Sequence, residues 1–176
     1  MADDVLVILQ EAMAKEEQRA QFYTEAAQKI CNPLAQATFN VLAGEEQKHK
    51  GYINRFYTGM VEKKAWPDMS ECQGECLLVH DAAKQVFGLL TEAEVQDVSC
   101  ETDLTQAYEV SMQAERESIT LYKGLLDGAT DENARAFYTV LLNAERGHLH
   151  LLSKTLEYLD DSEQWYFEEE QWIVEG

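Results

Sequence analysis

The sequence predicts an all-α fold: a four-helix bundle in up-down-down-up order, with a long crossover between helices 2 and 3. Three observations lead to this prediction. Apolar residues recur every three or four positions along most of the chain, only two prolines interrupt it, and two segments 99 residues apart repeat one pattern. Spacing of three and four residues marks the buried side of a packed helix. Two copies of one helical hairpin, joined by a long connection, supply the four helices.

The first predicted hairpin spans about the first 57 residues. Asp3 or Asp4 can cap its first helix. Asn32-Pro33 ends that helix and begins the second, since Asn is a favoured cap and Pro is tolerated in the first helical turn. The inward-facing residues of helix 1 are Leu6, Leu9, Met13, Glu16, Ala20, Tyr23, Ala27 and Ile30. Those of helix 2 are Ala35, Phe39, Leu42, Glu46, His49, Ile53 and Phe56.

Residues 58 to about 102 break the periodic pattern. Trp66-Pro67 and Gly74 interrupt this segment, and a short helix is predicted from His80 to Leu90, with His80 at the surface. A connection of this length is too long for a tight turn. It suits a crossover that runs the length of a bundle.

The second predicted hairpin begins near Asp103. Asp127-Gly128 supplies a glycine stop for helix 3, and Asp131 caps helix 4. The inward-facing residues of helix 3 are Tyr108, Met112, Glu115, Ile119, Tyr122 and Leu126. Those of helix 4 are Ala134, Tyr138, Leu141, Glu145, His148 and Leu152, whereas His150 points to solvent. The bundle therefore covers residues 1–160, and an acidic, aromatic tail of residues 161–176 is expected to pack on it or on a partner subunit.

Composition narrows the classes of partner. The formal net charge of -19 argues against binding to nucleic acid or anionic membranes. No apolar run approaches the roughly 20 residues that span a bilayer, and the first residues do not resemble a signal peptide. We expect a cytoplasmic protein with reduced cysteines. A disulfide or a labile metal site at Cys72 and Cys76 is the alternative.

Six inward-facing polar residues predict a pair of metal ions. The offset of 99 residues places Glu16 with Glu115 and carries a Glu-x-x-His pair from one hairpin to the other. The predicted ligands are Glu16, Glu46, His49, Glu115, Glu145 and His148. No Lys or Arg is expected at an inward-facing position, so divalent ions would have to neutralise the four carboxylates. Glu46 and Glu145 are assigned as the bridging ligands.

Oxygen and imidazole donors suit iron or manganese and do not exclude zinc or cobalt. The alternative without metal is a core of protonated glutamates and two buried histidines. Tyr23 and Tyr122 lie two turns beyond Glu16 and Glu115, and their hydroxyls could hydrogen-bond to carboxylates or carry an electron; we favour a structural role. The neighbours Glu17 and Glu45 lie beside the inward-facing positions.

These motifs resemble the ferritin-like superfamily and, within it, the rubrerythrin-like proteins. Glu16 to Tyr23 (EEQRAQFY) and Glu115 to Tyr122 (ERESITLY) are similar to the first and third helices of that family. Leu42 to His49 (LAGEEQKH) and Leu142 to His148 (LNAERGH) are similar to the second and fourth. By this resemblance, the six residues named above are ligands of a di-iron centre.

The resemblance has two gaps. Rubrerythrins carry a rubredoxin-like domain with four cysteines, which this sequence does not contain. They also carry an additional carboxylate about one turn after the third-helix Glu, a place that holds Ser118 or Ile119 here. The site therefore resembles the symmetric, six-ligand version of bacterioferritin-like relatives.

The expected function is that of a rubrerythrin-like oxidoreductase. A pair of iron ions, with manganese or zinc as substitutes, would reduce hydrogen peroxide or dioxygen, using electrons from a separate donor protein. The alternative is ferritin-like or bacterioferritin-like Fe(II) oxidation and iron storage, and a third class is an oxidase of an organic substrate. The long crossover and the aromatic tail favour a small oligomer, expected to be a homodimer, over a cage.

Overall fold

The computed structural model describes residues 2–67, 86 and 104–160, with side chains from residue 4 onward. Within these residues the chain forms four helices and no strand. The helices are α1 (Ala2–Lys29), α2 (Pro33–Lys63), α3 (Leu104–Gly128) and α4 (Glu132–Asp160). Over the same residues, no helix combines the length and apolar character that a bilayer-spanning segment needs. The predicted all-α class is confirmed, whereas His80 and the tail from residue 161 lie outside the described residues.

Local sequence sets the starts of α2 and α4 as predicted. The Asn32 side chain accepts hydrogen bonds from the backbone N–H groups of Leu34 (3.0 Å) and Ala35 (3.1 Å), and Pro33 lies in the first turn. Asp131 caps α4 in the same way, through bonds of 2.9 and 3.0 Å. These bonds satisfy backbone donors that the first turn of a helix leaves unpaired.

Two helix boundaries differ from the prediction. Helix α1 begins at Ala2, so Asp3 and Asp4 lie inside its first turn and not at the cap. Helix α2 continues to Lys63, so the pattern break predicted at residue 58 does not end it. The weaker periodicity after Phe56 does not end the helix, and Met60 in this last part of α2 is still buried.

The end of α2 turns the chain back on itself. Lys64 has a left-handed φ of 52°, and its N–H bonds to the Met60 carbonyl at 3.0 Å. The ring of Pro67 then lies so close to Gly59 that a Cβ at that glycine would be 2.5 Å from Cγ of the proline. Gly59 therefore permits the close approach of the two segments.

The core consists of two apolar clusters, one at each end of the bundle. The Tyr108 cluster contains Tyr23, Ala27, Ile30, Leu34, Ala35, Phe39, Leu42, Val86, Tyr108, Leu151, Leu152 and Tyr158. The Phe56 cluster contains Leu9, Ala12, Tyr52, Ile53, Phe56, Met60, Tyr122, Ala134, Phe137, Tyr138, Leu141 and Leu142. A layer of buried polar residues separates the two clusters.

Cluster membership fixes the direction of the helices. Leu34 and Tyr108, near the starts of α2 and α3, lie in the Tyr108 cluster, whereas Met60 and Tyr122, near their ends, lie in the Phe56 cluster. Helices α2 and α3 therefore run in the same direction, and each is antiparallel to its hairpin partner. The up-down-down-up order is confirmed. Between α2 and α3 in the sequence, Val86 is helical and packs in the Tyr108 cluster.

One cysteine differs from its expected state. Cys31, in the short link between α1 and α2, takes part in a disulfide, and its partner lies outside the described residues. The prediction of reduced thiols is therefore wrong at this position. That prediction was drawn from the expected cytoplasmic location and not from any local contact of Cys31. Cys72 and Cys76 lie outside the described residues.

Candidate metal centre

The polar layer between the two clusters contains all six of the predicted ligands. Helices α1 and α3 each supply one Glu, while α2 and α4 each supply a Glu and a His one turn apart. The exposed fraction of each residue is 0% or 1% for Glu16, Glu46, His49, Glu115, Glu145 and His148. The spacing of apolar residues had placed these positions inward, and the fold brings them together at one level of the bundle.

Three carboxylate oxygens surround one ring nitrogen of His49. From His49 Nδ1, the distances are 3.5 Å to Glu16 Oε2, 3.4 Å to Glu46 Oε2 and 3.7 Å to Glu145 Oε1. The four atoms enclose a space that we call the His49-side position. Its donors come from helices α1, α2 and α4.

A second set of three oxygens surrounds His148. From His148 Nδ1, the distances are 3.2 Å to Glu46 Oε1, 3.7 Å to Glu115 Oε1 and 3.7 Å to Glu145 Oε2. We call the enclosed space the His148-side position. Glu46 and Glu145 each direct one oxygen to each position, which is the geometry required of the bridging ligands they were predicted to be. The two imidazoles stack, with ring centroids 4.9 Å apart.

The unpaired polar atoms of this layer fit a bound metal. Ligand atoms of Glu46, His49, Glu145 and His148 all lie within 4.8 Å of one another. Several buried atoms have no hydrogen-bond partner among the described residues: Glu46 Oε1, Glu115 Oε2, Glu145 Oε2 and both ring nitrogens of His49 and His148. Buried polar atoms rarely go unpaired, and an ion bound between them would account for the set. The donors are oxygen and imidazole nitrogen, which suits Fe(II) or Mn(II).

A buried arginine lies beside the carboxylates, contrary to the prediction. Arg19 is 8% exposed, and its Nη2 donates hydrogen bonds to Glu16 Oε2, to Glu46 Oε2 at 3.0 Å and to Glu145 Oε1 at 3.1 Å. Its Nη1 donates to Ser118 Oγ. The expectation that no Lys or Arg lies among the inward-facing residues is therefore wrong. The sequence did contain an indication that Arg19 is special. Arg19 lies one turn after Glu16, and its equivalent in the second hairpin is the small residue Ser118.

Two tyrosines tie the hairpins together across the layer. Tyr23 on α1 donates a hydrogen bond to Glu115 Oε1 on α3, and Tyr122 on α3 donates to Glu16 Oε1 on α1 at 2.6 Å. The predicted bonding of tyrosine hydroxyls to carboxylates is confirmed. Burial and the neighbouring carboxylates raise the pKa of both tyrosines well above the usual value. Both hydroxyls therefore keep their protons and remain donors.

Without metal, the carboxylates hold unequal charge. Burial, and then the charges of Glu46 and Glu16, raise the pKa of Glu145 well above its usual range. Burial would also raise the pKa of Glu46, but its contact with Glu16 and the charge of Arg19 hold it well below that range. Glu145 therefore takes up a proton more readily than Glu46 does, since like charges at this distance disfavour double ionisation.

In the metal-free protein, the neighbouring carboxylates raise the pKa of both histidines. Burial would lower the pKa of His148, but the carboxylates of Glu115 and Glu46 raise it to about 10. The pKa of His49 is also raised, since Glu16 and Glu46 outweigh the effect of its burial. A metal ion binds neutral imidazole, so its binding would release a proton from an imidazole that carries one.

Three further residues lie outside the centre, as predicted. Glu17 is exposed and pairs with Lys50, and His150 is exposed. Glu45 is 8% exposed and pairs with Lys48 at 2.6 Å.

A helical bundle with a carboxylate from each helix and two Glu-x-x-His pairs defines a class, the carboxylate-type metal bundles. The family model described as Rubrerythrin matches residues 8–156. The chain therefore belongs to the rubrerythrin family, and the resemblance seen in the sequence is confirmed. No curated protein and no solved structure shows significant similarity to the chain.

Proposed function

We propose that this protein holds two iron ions at the polar layer and reduces hydrogen peroxide with electrons from a separate donor. The observation that carries the proposal is the pair of adjacent positions around His49 and His148, which share the carboxylates of Glu46 and Glu145. When bound, two Fe(II) ions would supply the two electrons that, together with two protons, convert one hydrogen peroxide molecule to two water molecules. Manganese or zinc would fit the same donors.

The protein contributes positioning and exclusion of water. The Tyr108 and Phe56 clusters close the polar layer on both sides along the bundle axis. Tyr23 and Tyr122 hold the carboxylates of Glu115 and Glu16 through their hydroxyls, so the oxygens of these two residues stay directed at the centre. Groups held in this way need little rearrangement when charge changes during reaction.

The shape of the site favours a small oxidant. A surface cleft of about 290 Å³ lies between α1 and α3, and Arg19 and Ser118 are among its lining residues. Behind them, the six candidate ligands are almost wholly buried. A molecule of a few atoms suits such an approach better than a larger organic substrate does.

The source of electrons is proposed to be another protein. The four cysteines of this sequence include no Cys-x-x-Cys pair, so the usual ligand set of a rubredoxin-type iron is missing from these 176 residues. The electrons would therefore come from outside these 176 residues.

Fe(II) oxidation and iron storage are a second candidate, favoured by one observation. By the family resemblance, the place where rubrerythrins carry an additional carboxylate holds Ser118 or Ile119, and the Ser118 hydroxyl accepts a hydrogen bond from Arg19. The centre thus has six candidate ligands, in the manner of bacterioferritin-like proteins. Storage also requires that iron be taken up well beyond two ions per chain, and the two candidates can be separated on that basis.

The test is stopped-flow absorbance of the anaerobically reduced, iron-loaded protein mixed with hydrogen peroxide or with dioxygen. We expect the faster reaction with peroxide, and turnover only when an external reductant is supplied. Glu17→Ala, which alters an exposed acid away from the centre, serves as the control and should match the unmodified protein. A preference for dioxygen, with uptake of added Fe(II) far beyond two per chain, would replace the peroxide proposal with the storage proposal.

A further inference from the structure

Arg19 places a positive charge of the protein itself against the three carboxylate oxygens of the His49-side position. Its Nη2 donates to Glu16 Oε2, Glu46 Oε2 and Glu145 Oε1. These are the same three oxygens that face Nδ1 of His49. The guanidinium thus occupies the same three oxygens that an ion bound beside His49 would need.

The His148-side position has no such occupant. The repeat equivalent of Arg19, 99 residues later, is Ser118, whose side chain is short and uncharged. Among the described residues, no Lys or Arg forms an ion pair with Glu46 Oε1, Glu115 Oε1 or Glu145 Oε2. The repeat relates the candidate ligands of one hairpin to those of the other. It does not repeat the positive charge, because Arg19 is matched by the uncharged Ser118.

We propose that Arg19 is a displaceable counter-ion that makes the two metal positions load in a fixed order. The first divalent ion binds at the His148-side position, and the second binds at the His49-side position only when the guanidinium leaves it. A monovalent and a divalent cation cannot share three carboxylate oxygens, because their repulsion in a buried site is large. This inference rests on the proposed two-ion centre and adds the control of its loading.

The surroundings of Arg19 give the side chain somewhere to go. Its Nε has no hydrogen-bond partner among the described residues, so only the two terminal nitrogens, Nη1 and Nη2, hold the guanidinium in place. The cleft of about 290 Å³ between α1 and α3 begins at Arg19 and is also lined by Gln18 and Glu117. A guanidinium that turns outward would enter this cleft, where the Glu117 carboxylate offers a new partner.

The test is an anaerobic calorimetric titration of the metal-free protein with Mn(II), which binds without redox chemistry. The unmodified protein should show two binding steps, with the second at least about tenfold weaker than the first, because it must displace a buried charge. In Arg19→Gln, the second step should tighten by at least about tenfold, so that the two steps merge. Arg116→Gln, the same change at an exposed position of α3, should keep the pattern of the unmodified protein.

Histidine variants assign the steps to positions. His148→Ala should remove the tight step, and His49→Ala should remove the weak one. Arg19→Lys retains the positive charge and should therefore show two separate Mn(II) binding steps. This variant provides a second test if Arg19→Gln does not fold.

Two results would overturn the inference. Equal affinity for two ions in the unmodified protein overturns the loading order, and it leaves the proposed function intact if that protein still reacts with peroxide. No binding of Mn(II) or Fe(II) by any of the proteins overturns the two-ion centre itself. The two failures are therefore distinguishable.

Discussion

Replacement of Tyr122 by Phe removes one hydroxyl from the centre of the bundle and leaves the ring. The lost bond is the 2.6 Å contact with Glu16 Oε1, and both residues are buried, at 2% and 0% exposure. A buried hydrogen bond to a carboxylate contributes about 1.5–3 kcal/mol to the free energy of unfolding. In Tyr122→Phe, the buried Glu16 Oε1 would lose this bond and could not bond to water instead. For a chain of this size, 1 kcal/mol corresponds to roughly 2–4 °C in Tm. We expect Tyr122→Phe to lower the Tm of the chelated protein by about 3–12 °C.

The assay is thermal and urea unfolding at pH 7 in the presence of a chelator, so that metal binding does not enter the free energy. Tyr23→Phe, which removes the opposite bond to Glu115, should cost a similar amount. The matched control is Tyr57→Phe, which loses only an exposed bond from Gln10 Nε2 at 2.8 Å and should change stability by about 0.5 kcal/mol or less. If Tyr122→Phe cost no more than Tyr57→Phe, the reasoning about bonds across the layer would be refuted.

Three further predictions concern metal and pH. Chelation should lower the Tm, since an ion at a hundredfold excess over its Kd adds about 2.7 kcal/mol of stability, and an unchanged melt after verified metal removal would contradict this. Glu145→Ala should lose metal measured by elemental analysis while Glu17→Ala keeps it, and equal loss in both would show that the assigned helical face is wrong. The pKa of His148, raised from 6.5 to about 10, predicts stability that is fully present below pH 6.5 and lost as pH rises through about 10. The chelated protein should therefore melt earlier at pH 9.5 than at pH 6.5, His148→Asn should flatten that slope, and His150→Asn should not.

The fold could be predicted from the sequence because the same pattern of apolar and polar residues occurs twice. One hairpin alone, with Glu46 and His49 a turn apart, would be weak grounds for a buried polar site. The same spacing at Glu145 and His148 made chance a poor explanation. Helix starts with a side-chain cap were also predictable, as Asn32 shows, because the capping bond involves neighbours in sequence.

The missed features depend on contacts between distant residues or on long side chains. Arg19 lies at the edge of the inward-facing side of α1, and its charge is buried only because the side chain reaches inward to Glu46 and Glu145. Periodicity locates the Cβ atom and not the end of a side chain that long. The disulfide at Cys31 was also missed, since pairing depends on which segments the fold brings together and not on local spacing.

The claim that the polar layer is a two-ion centre is tested most directly by anomalous X-ray diffraction from crystals soaked in excess Mn(II). The structure predicts two peaks in the layer between the Tyr108 and Phe56 clusters, one beside His49 Nδ1 and one beside His148 Nδ1, with Glu46 and Glu145 in contact with both. An empty layer, with manganese found only at exposed acids such as Glu17, would contradict the account.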